Sequence, residues 1–538
     1  MKATAGHSAA HFMVLRLFSS QNATYLKYFA YFCDRFYTRH TYITYKELKS
    51  PSLATSVAKS PSFALSAFPV VTLLVLLVGV VVFIGADAIS DLSPWALLAS
   101  AIIAVALSAF SGTLCQRGLT VGFRRSARQI LPAVPMLVFI AMVSTTWMLS
   151  GVVPTLIDFG MRILNPTFFL VTTCAVCAVI SVLTGSSWST IATIGVAFMG
   201  IGTVMGFHPG WVAGAIISGA YFGDKVSPLS DTTVVASSAC GVDLFDHIRY
   251  LMLTAIPAMG LALLAFLIAG LCIDASPAES AGDMLGLINR TFVITPWTLV
   301  IPAVTLTMIA FRVNTLLTLL ISSMLGLAGI FIFQPGITAM LAGGESFADY
   351  AGMTLRLLWS ETAFDTGHET FDSLVGTGGI TGMLPTIALV LCAMTFGTAM
   401  IGTGMLGVLT HKITARLKSR FAIVGSTVGG GLFINSCTAD QYLSLIIGGN
   451  MFRNVYRRFG LESRLLSRTL EDSVSVTSVL IPWNSCGVTQ STVLGVSTLT
   501  YLPFCVFNYL SPVMSLVMAF TGFKIKQTYA SYRLQVKS

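Results

Sequence analysis

The run GDKVSPLSDTT, Gly223 to Thr233, places two carboxylates, a lysine, a proline and four hydroxyls between strongly apolar flanks. A charged side chain at bilayer depth costs roughly 2.5–3.5 kcal/mol, so Asp224, Lys225 and Asp231 need ions or partners to compensate them. Pro228 removes a backbone donor and interrupts the helix, leaving freed backbone groups to line a polar cavity. Carboxylates, hydroxyls and broken backbone near the midplane are the means by which secondary transporters bind ions. A second run, EDSVSVTS from Glu471 to Ser478, has the same character.

Na+ is a hard cation that takes carboxylate, hydroxyl, amide and carbonyl oxygens. The candidate ion-binding acids are Asp224, Asp231 and Asp472. Asp231 lies seven residues after Asp224 and would share its face on a continuous helix. Glu471 would point about 100° away from Asp472, toward Arg468. Supporting oxygens are expected from Ser186, Ser187, Asn435, Ser436 and Thr438 at two hairpin tips, and from Ser227, Ser230, Thr232, Ser473 and Ser475 along two broken helices. Each hydroxyl has a plainer use, bonding a carbonyl of its own helix. Lys225 is the obvious ion-pair partner for Asp224 or Asp231. Desolvation favours a neutral carboxyl and a nearby cation favours the ionised one, so Na+ and H+ compete for one group. That competition is the minimum chemistry of a cation/proton exchanger.

The elements that must carry these residues follow from composition. Of 538 residues, 55% are hydrophobic and 10% charged, with a mean hydropathy of +0.81, outside the range of soluble globular chains. Continuous apolar runs of about twenty residues predict helical spans rather than the alternating ten-residue strands of a barrel. The net charge of +9 sits in short clusters between those runs, as cytoplasmic loops require, which argues against a nucleic-acid partner. The ten cysteines have no zinc-type spacing.

The expected fold is all-α and polytopic, with about ten transmembrane spans and two re-entrant hairpins. Residues 1–60 form a basic, aromatic-rich extension, cytoplasmic or interfacial and unlike a signal peptide. The transporter domain occupies 61–525, and 526–538 is a cytoplasmic tail. The basic loops place both termini in the cytoplasm and the chain in the cell membrane.

Three features recur in one order. A Thr-rich helix surrounds Thr146 and Thr398, a small-polar turn falls at Ser186 and Ser436, and a broken acidic helix carries Asp224 and Asp472, at separations of 252, 250 and 248 residues. The loop after the first Thr-rich helix is nearly neutral and the loop after the second is basic. Two inverted repeats with discontinuous helices are therefore expected, about 94–273 and about 315–522.

No GxxxxGK[ST] loop and no HExxH occurs, so neither a nucleotide-driven pump nor a zinc protease is indicated, and the chain is not read as an enzyme. The segments TGSSWSTIATIG, GAIISGAYFGDKVSPLSDTT with GVDLFDHIR, FINSCTADQY, and LSRTLEDS with LIPWNSCG resemble the NhaC family of Na+/H+ antiporters. The resemblance covers about residues 65–525. It implies alternating access between two inverted repeats, and ion-site acids at Asp224, Asp231 and Asp472. Where relatives often read DTTNLAP this chain has DTTVVAS, Asp231 to Ser237, losing an amide. No cofactor is implied, with Na+ and H+ as cargo. Expected partners are the bilayer and a second copy of the chain. The alternative cargo is a small organic acid such as malate or lactate, or an amino acid. The alternative class is a channel or an inactive scaffold.

Overall fold

The computed structural model describes residues 61–526 apart from 86–87, 115–118, 125–126, 128–132, 274–278, 312, 345 and 415–418. The extension 1–60 and the tail from 527 onward lie outside the described residues. Described residues form helices almost throughout, with a single isolated antiparallel bridge, Thr362 to Thr377. Eight helices are long and apolar enough to cross a membrane, or up to eleven if each bent pair is one span. The expected ten fall within that range, and the protein is a multi-pass membrane protein.

The chain opens with α1 (Phe63–Phe83), α2 (Ile89–Phe110), α3 (Ala133–Leu149) and α4 (Val152–Ile163), the last two bent by 64°. Next come α5 (Pro166–Thr184), α6 (Ser187–Val204), α7 (Pro209–Val226), α8 (Asp231–Cys240) and α9 (Leu244–Cys272). A connecting set follows, α10 (Glu279–Thr291), α11 (Val300–Ala310), α12 (Thr315–Phe333), α13 (Pro335–Ala342), α14 (Phe347–Trp359) and α15 (Glu369–Val375). The rest are α16 (Leu384–Gly402), α17 (Met405–Thr414), α18 (Arg420–Thr438), α19 (Gln441–Arg458), α20 (Ser463–Leu470), α21 (Ser485–Leu494) and α22 (Val506–Thr521).

Burial sorts these by role. Only 22% of the most apolar window of α1 is buried, and Val75, Val82 and Phe83 face outward, as lipid-facing residues do. For α6 the share is 78%, so this helix is interior to the molecule. The closest pairing joins α7 to α5. Gly219 and Gly223, four apart on α7, allow it, because a Cβ at either would overlap the backbone of α5 at Cys174 or Ala178.

Two stretches of the fold repeat with a constant shift. Helix α5 with α6 and α18 with α19 have the same lengths and the same break. The caps agree, since 440 − 186, 484 − 230 and 495 − 241 all equal 254. Hydrogen bonds repeat at that shift too. Ser181 bonds the Ala220 carbonyl as Asn435 bonds the Val474 carbonyl, and Thr184 meets Thr190 as Thr438 meets Ser444. Pro228 therefore corresponds to Pro482, and the break Ser227–Ser230 to Ile481–Asn484.

This shift corrects the separations of 252, 250 and 248 read from the Thr-rich helices, the small-polar turns and the acids. Asp224 is matched by Ser478 and Asp472 by Ser218, so the two aspartates are not equivalent positions of the repeat. The second hairpin tip is also displaced, to Ala439 and Asp440. Asn435, Ser436 and Thr438 lie in the last turn of α18, which ends where Ala439 turns left-handed (φ 53°). Arg453, Arg457 and Arg458 lie on α19 rather than in a loop.

Candidate functional site

At the first tip, Gly185 adopts the left-handed conformation that ends α5, and Ser186 caps α6 by accepting from the Ser189 amide. Helix α7 ends against Pro228. The break is tied down by the Ser227 hydroxyl, which donates to the Val182 carbonyl at 2.8 Å. Asp224, in the last turn of α7, thereby reaches the start of α6, where the Ser187 amide and hydroxyl donate to its Oδ2 at 3.2 and 2.6 Å. A helix N-terminus favours negative charge, so the tip is built to hold this carboxylate. The Ser230 hydroxyl also faces it, caps α8 and meets Thr232 at 2.9 Å.

Lys225 does not pair with either expected aspartate. It points to the other half of the molecule, where its ammonium contacts Asp472 and donates to Ser511 at 2.6 Å, 5.5 Å from the centre of the Phe507 ring. Asp472 also accepts from Ser511 at 3.0 Å, Thr254 at 3.2 Å and Ser515. Its partners come from α7, α9 and α22, so it fastens three helices. Both side chains are buried, 1% and 0% exposed.

Asp472 and Glu471 sit in one turn of π-helix, Glu471–Ser475, that continues α20. Such turns recur at functional sites because they re-aim side chains out of α register. Glu471 is fully buried, and among the described residues neither of its oxygens has a hydrogen-bond partner. The hydroxyls of Ser475 and Thr232 lie beside it. Arg468, toward which it was expected to turn, forms no ion pair among the described residues and stacks 4.5 Å from the centre of the Tyr250 ring.

The other expected residues divide. Asp231 begins α8, is exposed, and stands within electrostatic reach of Asp224 without sharing its face, because the helix breaks between them. Ser436 and Ser473 bond carbonyls of their own helices, Leu432 and Thr469, which is the plainer use. Asn435 bridges the Val474 carbonyl and the Asn484 amide. Thr438 bonds Ser444. At the second tip the match of the Ser187–Asp224 contact is Ser478 donating to Gln441 at 3.3 Å, so a neutral pair replaces the acid. No group of three or more His, Cys, Asp or Glu side chains gathers among the described residues, which leaves paired carboxylates with hydroxyls as the available oxygen ligands.

The profile of the Na+/H+ antiporter family matches residues 3–251 and 219–523. The chain belongs to this family. It is 36% identical to the Na+/H+ antiporter NhaC of Alkalihalophilus pseudofirmus over 399 residues, 74% of this chain and 84% of that one. It is 32% identical over 482 residues to the arginine/ornithine antiporter ArcD of Halobacterium salinarum, covering 87% and 93%. It is also 33% identical over 397 residues to the malate-2H+/Na+-lactate antiporter of Bacillus subtilis, covering 73% and 81%. Sequence reasoning missed Thr254, Ser511 and Ser515, which are isolated hydroxyls in apolar helices and become visible only once Asp472 is placed. It also passed over Asp440, whose position before a helix start is an N-cap signal.

Proposed function

We propose that this antiporter exchanges Na+ for H+ across the cell membrane by alternating access, with both termini cytoplasmic and the two repeats running in opposite directions. The carrying observation is Asp224, a buried carboxylate fixed at a hairpin tip beside a helix break, with hydroxyls rather than a cation as its partners. Na+ and H+ occupy it in turn. Because one carboxylate cannot hold both, each ion leaves as the other arrives, which enforces exchange rather than co-transport. Asp231, exposed at the start of α8, receives ions on their way to or from Asp224. Asp472 with Lys225 responds to the charge state of the site, and their movement couples occupancy to rearrangement of the broken helices.

The test uses purified protein in liposomes holding a trapped pH dye. Adding external Na+ should alkalinise the lumen, K+ should not, and Asp224→Asn should abolish the response. A full Na+ response in Asp224→Asn would sink the assignment of the site. A second reading, coupled exchange of an organic solute, is favoured by the coverage of the arginine/ornithine relative, 87% of this chain and 93% of that one. It would replace the first if protons moved only after malate, lactate or an amino acid was supplied.

A further inference from the structure

We infer that Glu471 is the second acidic ligand of the transported cation, completing with Ser475, Thr232 and Asp224 an oxygen-lined site for one small monovalent cation between the two repeats. The inference rests on the Na+/H+ reading above and names the ligands that reading leaves open. Its first support is an imbalance of hydrogen bonds. A buried carboxylate without a well-formed hydrogen bond is costly, and although the Ser475 and Thr232 hydroxyls lie beside Glu471, neither of its oxygens nor the Ser475 hydroxyl meets a partner in hydrogen-bond geometry among the described residues. Three unsatisfied oxygens in one place make an arrangement that a hard cation completes.

The second support is charge. Asp224, Lys225, Glu471 and Asp472 are close enough to influence one another, and the only cation among the four is taken by Asp472. Arg468 offers Glu471 no ion pair, since its guanidinium lies over Tyr250 and reaches the Met518 sulfur. Two carboxyl groups are left without a cation, one on each side of the Ser230–Thr232 hydroxyl pair, which faces Asp224 at one end and Glu471 at the other. The third support is position. Glu471 and Ser475 bracket the π-turn, which has no counterpart at the matching residues 217–221 of α7, where the helix stays regular. A second π-turn, Ile191–Gly195 in α6, likewise has no counterpart in α19, but among the described residues only the turn at 471–475 carries unpartnered carboxylate oxygens.

The test is equilibrium binding of radioactive 22Na+ to purified full-length protein in detergent, together with the rise in Tm that Na+ produces. Glu471→Gln should fold, keep a cooperative melt, and lose at least tenfold in Na+ affinity along with the Na+-dependent Tm rise. Ser475→Ala should lose about three- to tenfold. Glu462→Gln, a half-exposed partner of Arg464, should bind as the wild type does. Wild-type affinity in Glu471→Gln would overturn the proposal, as would a larger Tm rise with Ca2+ than with Na+. Should Glu471→Gln fail to fold, Glu471→Asp supplies the same reading, since a carboxylate withdrawn by one methylene should also weaken Na+ binding at least tenfold. A wild type that binds no Na+ would refute instead the Na+/H+ reading beneath it.

Discussion

Lys225 and Asp472 are held together where water cannot reach, each also bonded to Ser511. In such a setting the cost of leaving one charge alone exceeds the worth of the pair. Removing either partner of a buried pair typically costs about 3–5 kcal/mol, while neutralising both costs far less. Lys225→Met and Asp472→Asn should therefore each lower the thermal midpoint of the purified protein steeply, and the double variant should recover most of the loss. Exchange should not return with stability, because an uncharged pair cannot respond to the charge state of the site. A double variant as unstable as either single one would mean that the charges do not compensate one another. Wild-type exchange by the double variant would make the pair a structural clip.

At the scale of elements, the first hairpin tip depends on a glycine. Gly185 has a φ of +67°, and a Cβ there would overlap Leu229 in the break of the neighbouring helix. The left-handed backbone costs an alanine about 1–2 kcal/mol and the overlap about 1–3 kcal/mol. Gly185→Ala should thus cost more in stability than Ala439→Gly at the matching position, where an alanine already adopts φ 53°. Comparable midpoints would show that the tip does not pack on the break. The same pair of tips explains how far the elements could be read from the chain. Pro228 and the Gly185-Ser186 turn are strong local signals, and both broke the chain where expected. The second tip carries no glycine at its left-handed residue, so the small polar run from Asn435 to Thr438 took its place and shifted the tip by several residues. That shift, together with matching acid to acid rather than Pro228 to Pro482, paired Asp224 with Asp472. The plight of Glu471 was illegible for another reason. Which way it faces depends on a π-turn, and its lack of partners depends on what α8 and α22 bring to it, neither of which is encoded in local pattern.

For the whole molecule, the shift of 254 residues carries a consequence about direction. The starts of α5 and α7 are capped by Asn165 and His208, and their matches at the starts of α18 and α20 are Ser419 and Glu462. A hairpin returns the chain to the side from which it came, so Asn165 and His208 must share one face of the membrane and Ser419 and Glu462 must share one face. If the repeats are inverted these are different faces, and the broken helices then meet head to head near the midplane, where alternating access can exchange the open side by rocking one repeat against the other. Parallel repeats would put all four on the same face and leave the two breaks at equal depth without a two-fold relation. The charges favour inversion, because Arg457, Arg458 and Arg464 accompany the second pair and none of Asn165 to His208 is charged. Single cysteines at 165, 208, 419 and 462, in a background lacking the ten native cysteines, decide between them. An impermeant maleimide should label the first two only from outside intact cells and the last two only in inside-out vesicles. Labelling of all four from one side would remove the inverted arrangement and, with it, the account of how a single site faces each compartment in turn.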